Sequence, residues 1–399
     1  MITVEQAEKL IRAEIKDFGT EKVPFEKALG RVLAEDITAD RDLPPFNRVT
    51  MDGIAINYRA IETGLSTFRV KATQAAGDEP VQIDGVDECI EIMTGAALPG
   101  SADTVIPYEQ IELKDGTATI LNADIKKGQN LHNKGSDKKR GGIIILAGRL
   151  ITPSLINTIA SVGKAKLMVK KLPKVVVVSS GDELVDIDQE PSPTQIRKSN
   201  SYTIQAVLDQ NKLKADLLHI PDNPAVARNK IGHCLEKYDV ILMTGGISMG
   251  KFDYIPKALD ELGVKTIFHK VSQRPGKPFW FGKHQNGVLV FAFPGNPVAT
   301  FMCLHRYFLP WLNAGFGLEE KPVYGVLDRD FLFKPELQYF LQVKLRFSEN
   351  GMLLANPIEG NGSGDFANLA DTDAFMELPL ERSNFEKDEV FRVWMFSSV

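Results

Sequence analysis

Cysteine is scarce in this sequence, and its spacing excludes the usual cysteine-based scaffolds. Cys89, Cys234 and Cys303 stand far apart among 399 residues and form no C-x-x-C pair. An odd number of well-separated cysteines indicates neither a disulfide framework nor a cysteine zinc site. The six histidines contain no H-E-x-x-H pair, so the sequence does not favour a zinc site of that type. We therefore expect an intracellular protein.

Long apolar runs are also missing, which excludes a membrane span. The first eight residues lack the positive and apolar regions of a signal peptide, and Thr3 and Gln6 fit a capping box that opens an amphipathic helix. The formal net charge of -5 argues against wholesale binding to nucleic acid, so any anion site is expected to be local. We predict a cytoplasmic protein with neither a membrane nor a nucleic-acid partner.

The length and pattern of the chain predict a multi-domain α/β protein. At about 150 residues per domain, 399 residues give roughly two to four domains. Changes of pattern predict an elongated N-terminal and linker domain over 1–46 and 132–172, an inserted β-rich domain over 47–131, a doubly wound α/β domain over 173–317 and a C-terminal β-barrel or sheet domain over 318–399. The α/β prediction depends on apolar strands that alternate with helical segments, which is typical of a sheet buried on both faces.

Polar loops follow four of the apolar strands of the α/β domain. They span residues 179–183, 221–223, 244–253 and 294–297. Because ligands bind outside the carboxyl ends of the strands in such sheets, the four loops are expected to meet at one crevice. Their glycines allow backbone N–H groups to turn towards an anion, and the helix N-termini behind them add favourable partial charge. Phosphate is the ligand that this pattern favours.

The same loops carry the carboxylates of Asp182, Glu183, Asp222 and Asp253. These groups would repel a bare polyanion unless a hard cation such as Mg²⁺ bridges them to it. Glycines and aspartates after strands are also ordinary turn and N-cap residues, and the 294–297 loop fits a rigid turn as well as a ligand contact. Four such loops in one domain favour a joint phosphate and magnesium site.

Two further segments suggest anion binding. Residues 245–251 fit G-x-x-x-x-G-K, but Phe252 follows Lys251 where a P-loop has the Ser or Thr that holds magnesium, so an ATPase loop is disfavoured. Arg274 and Lys277 lie in an Arg-Pro-Gly-Lys-Pro segment whose prolines restrict both side chains, which suits capture of an oxyanion. A rigid surface loop remains the alternative for that segment.

Nine short motifs stand in register along the chain. They are Met-Asp-Gly at 51–53, Met-Thr-Gly at 93–95, Gly-Ser-Asp at 135–137, Ser-Gly-Asp-Glu-Leu at 180–184, Gly-Gly-Ile-Ser-Met-Gly at 245–250, Asp-Tyr at 253–254, Pro-Gly-Lys-Pro at 275–278, Pro-Gly-Asn-Pro at 294–297 and Gly-Ser at 362–363. In order and spacing they resemble the molybdopterin molybdenumtransferase family, called MoeA in bacteria and found as the E-domain of gephyrin and of plant molybdenum-cofactor proteins. The resemblance covers nearly the whole chain.

The resemblance implies an enzyme that inserts molybdate into adenylyl-molybdopterin, uses Mg²⁺ and releases AMP. It also implies an elongated homodimer whose site lies between the α/β domain of one subunit and the β-rich and linker domains of the other. A molybdopterin adenylyltransferase is then the expected upstream partner.

The resemblance also implies roles for residues at the motif positions. The implied catalytic residues are Asp52, Thr94, Glu183, Asp222 and Asp253, and the implied metal ligands are Asp137, Glu183, Asp222 and Asp253. The implied substrate-binding residues are Ser180, Gly181, Asp182, Gly245, Gly246, Ser248, Arg274, Lys277, Pro294, Pro297 and Ser363.

Several positions depart from the family pattern. Residues 47–50 replace an acidic-Ser-Ala run, His132 and Gln342 stand where the family has arginines, and Lys198 replaces an Asp or Asn. Loss of a guanidinium removes a bidentate clamp for an oxyanion, which glutamine cannot replace by charge. The alternative function is therefore a divergent, non-catalytic member that binds a pterin or nucleotide or acts as a scaffold.

Overall fold

The computed structural model of the chain describes residues 1–121, 124–246, 254–359 and 366–397. Its α-helices are α1 Val4–Arg12, α2 Arg59–Glu62, α3 Pro153–Ser161, α4 Asn200–Gln210, α5 Pro224–Lys237, α6 Ile255–Glu261, α7 Pro297–Cys303 and α8 Leu309–Gly315, with a π-helical turn Leu304–Phe308 between the last two. Short 3-10 turns lie at Phe25–Lys27, Tyr108–Gln110 and Ala367–Ala370. Across the described ranges, no helix combines the length and apolarity needed to cross a membrane.

Helix starts follow local capping chemistry. The predicted capping box of α1 is present, because Thr3 Oγ1 accepts the Gln6 N–H while Gln6 Oε1 accepts the Thr3 N–H. Thr152 directly precedes α3, but its side chain contacts Ser154 Oγ at 2.8 Å and caps no backbone N–H. Pro153 at the first helical position therefore marks this helix start, since it has no N–H to satisfy.

A six-stranded sheet forms the centre of the molecule. In sheet order its strands are Ala215–Ile220, Val175–Ser180, Val240–Thr244, Leu289–Phe293, Trp280–His284 and Val264–His269. The first four are parallel to one another and the last two are antiparallel to their neighbours. One face packs against α4, α7 and α8, and the other packs against α5 and α6. The predicted doubly wound α/β fold is confirmed, and burial on both faces explains its continuous apolar strands.

The inserted module is a second six-stranded sheet. Its order is Thr104–Pro107, Gly53–Ile56, Glu88–Ile92, Thr67–Gln74, Thr117–Ile120 and Ile111–Lys114. The last two strands form a hairpin across an Asp-Gly pair, which is a typical hairpin turn sequence, and Asp115 and Gly116 adopt φ of 51° and 74° at its turn. Arg48–Val49 pairs with Leu131–His132 where the module joins the linker. Two further ladders lie within the linker; they pair Ile37–Thr38 with Ile143–Ile145 and Thr20–Pro24 with Lys166–Lys170.

The C-terminal segment forms a small β-barrel. Its strands, in order, are Gln338–Phe347, Leu353–Pro357, Val323–Leu327, Val390–Met395 and Ala374–Leu378, and the last pairs back onto the first. Two-stranded pairs join Phe331–Leu332 to Asn384–Phe385 and, in the α/β domain, Leu184–Val185 to Ile196–Arg197. The strand Gln273–Arg274 pairs with the start of the barrel strand, so the barrel contacts the α/β domain directly.

Helix α1 packs into the core of the α/β domain although it precedes that domain by about 160 residues of chain. Val4, Ala7 and Ile11 are buried in the same cluster as the central strands. The N-terminal segment and the α/β domain thus share one core, and the four-domain division at the predicted boundaries remains a prediction.

Candidate functional site

The four polar loops of the α/β domain lie at one edge of the central sheet. Ser180 is paired with Ile220, Ser179 with Thr244, and Thr244 with Phe293, so the parallel strands end at the same level. The loops that follow must therefore leave the sheet side by side. This register creates the crevice that the sequence predicts.

Asp182 and Asp222 connect the first two loops. The Asp182 N–H donates to Asp222 Oδ2 at 3.3 Å, and the Asp222 N–H donates to Asp182 Oδ1 at 3.0 Å. Each carboxylate thus keeps one oxygen that no described residue contacts by a hydrogen bond. These reciprocal bonds hold two negative charges side by side at the mouth of the crevice.

Glycine is required where the third loop crosses the first. Gly245 has φ +83°, and a Cβ there would lie 2.9 Å from the Ser180 carbonyl oxygen. Gly246 has φ +67°, and its Cβ would lie 2.5 Å from Ser180 Oγ. Both predicted glycines therefore let the loop backbone pack directly on Ser180.

The remainder of the third loop, residues 247–253, lies outside the described residues. The predictions for Ser248 and Asp253, and the P-loop alternative that depends on Lys251, fall in this segment. Ser363, predicted from the tail motif, also lies outside the described residues.

Asn200, the first residue of α4, joins the third and fourth loops. Its Nδ2 donates to Thr244 Oγ1 at 2.8 Å and to the Gly295 carbonyl oxygen at 2.8 Å. No motif in the sequence indicates a role for Asn200. Its position at the start of a helix indicated only an ordinary cap, because neither acceptor is close to it in sequence.

A pocket of about 90 Å³ opens between these loops. Its polar lining includes Ser179, Ser180, Glu183, Lys198, Ser199, Asn200, Ser201 and Thr244. Ser180 is 5% exposed, and its Oγ has no hydrogen-bond partner among the described residues. A buried hydroxyl without a partner costs about 1–3 kcal/mol, which makes Ser180 the candidate in this pocket for a hydrogen bond to a ligand.

Lys198 also lines the pocket, and its ammonium group is part of an ion pair. Its side chain is 13% exposed and its Nζ lies 2.9 Å from Asp186 Oδ1. Nearby, Ser179 Oγ lies 3.1 Å from His219 Nδ1. Burial lowers the pKa of His219, and the charges of Lys198 and Lys230 lower it further, so the imidazole is neutral at pH 7.

The Pro-Gly-Asn-Pro loop is a rigid turn. Asn296 Oδ1 accepts the Ala299 N–H, and Thr300 Oγ1 donates to the Pro294 carbonyl oxygen at 2.5 Å. The alternative of a structural turn thus accounts for Pro294 and Asn296. Pro297 and Gly295 also line the pocket, so the loop shapes its wall.

The loop that carries Arg274 and Lys277 lies at the same edge of the sheet, because the strand that follows it starts where Trp280 pairs with Ala292. Buried Gln273 anchors it by donating from Nε2 to the Gly276 carbonyl oxygen at 3.1 Å. Arg274 and Lys277 are both exposed. The guanidinium of Arg274 lies 5.9 Å from the ring centre of Phe333 in the barrel.

Asp52 and Thr94 meet in the inserted module. Asp52 Oδ1 accepts the Thr94 N–H at 2.6 Å. Hydrogen bonds from the Thr94 N–H and side chain lower the pKa of Asp52, so the carboxylate is charged at neutral pH. Asp137 lies on the adjoining linker and accepts a hydrogen bond from His132 Nε2 at 2.6 Å. Within the described residues, no hydrogen bond or ion pair connects these groups to the crevice of the same chain.

Gln342 occupies the barrel position where the family pattern has an arginine. Its Nε2 donates to Thr372 Oγ1 at 3.1 Å, and that hydroxyl donates to the Asn368 carbonyl oxygen at 2.7 Å. Gln342 is therefore engaged within the barrel.

The described carboxylates do not by themselves form a metal centre. No group of three or more His, Cys, Asp or Glu within the described ranges is arranged to hold a metal ion. Mg²⁺ in phosphate sites, however, usually has one or two carboxylates, substrate phosphates and water as ligands. The uncontacted oxygens of Asp182 and Asp222 fit that kind of coordination.

Comparison with known proteins gives matches along nearly the whole chain. A family model described as the MoeA N-terminal region (domain I and II) matches residues 2–163, the probable molybdopterin binding domain matches 176–314, and the MoeA C-terminal region (domain IV) matches 324–396.

Individual relatives show the same similarity. The molybdopterin molybdenumtransferase of Synechocystis sp. is 38% identical over 394 residues, which cover 98% of this chain and 99% of the relative. The molybdopterin molybdenumtransferase of Bacillus subtilis is 29% identical, with 98% of this chain and 93% of the relative covered. A molybdopterin biosynthesis MoeA crystal structure from Pyrococcus horikoshii superposes with a TM-score of 0.84 at 28% identity and covers 100% of both chains.

Proposed function

This chain belongs to the molybdopterin molybdenumtransferase family, the MoeA proteins, and we propose that it performs that family's reaction in molybdenum-cofactor biosynthesis. It inserts molybdate into adenylyl-molybdopterin and releases AMP with the finished cofactor. The crevice at the carboxyl edge of the central sheet is the substrate site. The alternative of a non-catalytic binding or scaffold protein has no observation in its favour.

The observation that carries this assignment is the unpartnered hydroxyl of Ser180 in a pocket that Lys198 also lines. A hydroxyl donor and an ammonium group next to glycine-rich backbone suit a phosphate group. Gly245 and Gly246 bring the third loop against Ser180, and Gly181 leaves room for the Glu183 carboxylate, so the three glycines place these groups around the proposed substrate site. This reaction requires mainly positioning of its reactants, so we assign no general base.

Lys277 and Arg274 are proposed to hold molybdate or a phosphate at the entrance of the crevice. Both are exposed cations on a loop that buried Gln273 fixes in place. A restricted cation loses little conformational entropy on binding an oxyanion. In the other half of the site, Asp52 holds the Thr94 segment, and Thr94 contacts the substrate.

Magnesium is proposed to bind in the crevice to one or two of the carboxylates of Glu183, Asp222, Asp253 and the neighbouring Asp182, with Asp137 approaching from the other subunit. The fit depends on the free carboxylate oxygens of Asp182 and Asp222. When bound, Mg²⁺ would neutralise phosphate charge and polarise the phosphoanhydride. Removal of divalent ions with EDTA is expected to abolish AMP release, and added Mg²⁺ is expected to restore it.

The decisive assay incubates the pure protein with adenylyl-molybdopterin, molybdate and Mg²⁺ and measures AMP. We expect molybdate-dependent AMP release by the wild type and a large loss in Asp222→Asn, which keeps the hydrogen-bond acceptor but removes the charge. Failure of the wild type to release AMP, while calorimetry shows that it binds the substrate, would favour the non-catalytic alternative.

We also propose a homodimer whose site contains Asp52, Thr94 and Asp137 from one subunit and the crevice of the other. Mixing Asp52→Ala with Asp222→Ala tests this arrangement, because each mixed dimer would contain one intact site. Random mixing is expected to restore about a quarter of wild-type activity. Activity that stays at the level of the single variants would contradict a shared site. In the cell, the substrate would come from a molybdopterin adenylyltransferase in the cytoplasm.

A further inference from the structure

Arg48, His132 and Asp137 form a continuous chain of hydrogen bonds at the junction of the linker and the inserted module. Arg48 Nη2 lies 3.0 Å from His132 Nδ1, and His132 Nε2 lies 2.6 Å from Asp137 Oδ1. Arg48 and His132 are direct partners in their antiparallel strand pair, which places their side chains next to each other.

The guanidinium of Arg48 and the carboxylate of Asp137 decide which ring nitrogen of His132 donates and which accepts. A guanidinium can only donate and an ionised carboxylate can only accept. His132 Nδ1 therefore accepts from Arg48, and Nε2 carries the proton that is donated to Asp137. The orientation of the imidazole is therefore set from both sides.

Arg48 keeps most of its binding capacity. The residue is exposed, and no other hydrogen bond or ion pair of the described ranges engages its side chain. Four of its five N–H donors thus have no described protein partner. The side chains of His132 and Asp137 are 30% and 58% exposed, so the whole chain of groups faces accessible space.

The backbone connects Arg48 to the other predicted residues of this half-site. The Gly95 N–H donates to the Val49 carbonyl oxygen at 2.9 Å, and Thr94 precedes that glycine. Thr94 in turn donates to Asp52. Arg48 is therefore a cation beside a surface that also carries the carboxylates of Asp52 and Asp137.

We propose that Arg48 binds a tetrahedral oxyanion of the substrate, phosphate or molybdate, and that His132, fixed by its hydrogen bond to Asp137, is a positioning residue that orients the Arg48 guanidinium. This inference rests on the proposed function of the same site. An imidazole alone cannot form the bidentate bond that a guanidinium makes with an oxyanion. Arg48 supplies a guanidinium from the neighbouring strand, directly opposite His132.

The test compares Arg48→Ala, Arg48→Lys and the exchanged pair Arg48→Ser with His132→Arg. Arg59→Ala is the matched control, because Arg59 is an exposed arginine of the same module that the site does not use. For each variant, KM for molybdate and KM for adenylyl-molybdopterin are measured together with kcat and the thermal midpoint. The two KM values distinguish a bound molybdate from a bound phosphate.

We expect Arg48→Ala to raise one of the two KM values by about ten-fold or more, as loss of a charge-assisted hydrogen bond does. kcat should change less, Arg48→Lys should be intermediate, and the exchanged pair should recover most of the affinity. Arg59→Ala should behave as the wild type.

Unchanged KM values in folded Arg48→Ala and Arg48→Lys, with an active wild type, would overturn this inference alone. A KM of the exchanged pair no lower than that of Arg48→Ala would also overturn it. An arginine at position 132 should restore oxyanion binding, whereas it would not restore a purely structural contact of Arg48. An inactive wild type would instead count against the proposed function. If Arg48→Ala does not fold, Arg48→Lys and the exchanged pair decide the question.

Discussion

Asn200 donates from Nδ2 to the carbonyl oxygen of Gly295, 2.8 Å away, across 95 residues of chain. The same nitrogen donates to Thr244 Oγ1 at 2.8 Å. One amide group thereby fixes the start of α4 against the ends of two central strands. The walls of the crevice are held at a fixed separation by this contact.

Asn200→Ala should impair both the site and the fold. It leaves the Gly295 carbonyl oxygen and the Thr244 hydroxyl without this donor, which is expected to lower the free energy of unfolding by about 1–3 kcal/mol. Urea denaturation and kcat/KM check the two effects. Asn211→Ala, at the other end of α4, is the control; it removes one bond to Val207 and should leave kcat/KM close to that of the wild type.

Ser180→Ala should separate binding from stability. Since Ser180 Oγ is buried without a described partner, its removal is expected to change the free energy of unfolding by less than about 0.5 kcal/mol or to raise it. Substrate affinity should fall by about five- to ten-fold if the hydroxyl binds the substrate. Calorimetry measures the affinity and urea denaturation measures the stability.

Ser179→Ala is the matched comparison for Ser180→Ala. This variant removes the contact between Ser179 Oγ and His219 Nδ1, so it should lower stability. Clear destabilisation by Ser180→Ala with unchanged affinity would contradict the ligand-facing role of Ser180.

Arg306 joins the N-terminal helix to the barrel. It is 4% exposed, its Nη2 lies 2.7 Å from Glu8 Oε2, and its Nε lies 3.3 Å from Glu377 Oε2. Arg306→Met leaves the carboxylates of Glu8 and Glu377 without their buried cation. We therefore expect the free energy of unfolding, measured by urea denaturation, to fall by about 3–5 kcal/mol. Replacing Glu8 by Gln in the same chain should recover part of that loss.

The control for this ion pair is Arg12→Met. Arg12 also pairs with Glu8, at 2.8 Å, but its side chain is 40% exposed. An exposed pair contributes about 0–1 kcal/mol, so this variant should be far less destabilised. Equal losses in both variants would show that burial of Arg306 is not the source of its effect.

His305 should make the fold sensitive to mild acid. Burial lowers the pKa of His305 to about 4 from its usual 6.5, while its Nδ1–H donates to the Phe301 carbonyl oxygen at 2.9 Å. Between pH 4 and pH 6.5 the unfolded chain binds a proton at His305 that the folded chain does not. The contribution of neutral His305 to the free energy of unfolding is therefore fully present above pH 6.5 and is lost as the pH falls towards 4. The loss is expected to reach about 3 kcal/mol.

Urea denaturation at pH 7, 5.5 and 4.5 measures this dependence. The packed aromatic neighbours of His305, Phe301 and Phe396, suggest His305→Phe as the variant that keeps the ring. Its stability should change less over this pH range. A slope equal to that of the wild type would assign the acid sensitivity to other groups.

Local chemistry made much of the fold predictable. The capping box at Thr3, the turn at Asp115 and Gly116, and the buried strands of the central sheet each depend on residues within a few positions of one another. The alignment of polar loops at the sheet edge was also predictable, since parallel strands of similar length end at one level.

The contacts within the candidate site were not predictable in the same way. The bonds between Asp182 and Asp222 and from Asn200 to Gly295 join residues 40 and 95 positions apart. Arg48 and His132, which the sequence presented as two separate departures from the family pattern, proved to be neighbours 84 positions apart. Their relation depends on strand pairing, which the composition of neither segment specifies.

The sequence by itself determined the family, the doubly wound α/β centre and the loops that carry polar groups, because these follow from local periodicity, turn residues and motif order. Only the tertiary structure decided which polar side chains are engaged and which are left to meet a ligand. Hydrogen bonding is short-ranged and directional. The lack of a partner for Ser180 Oγ and the contact of the Arg48 guanidinium with His132 are therefore decided only when distant segments pack together.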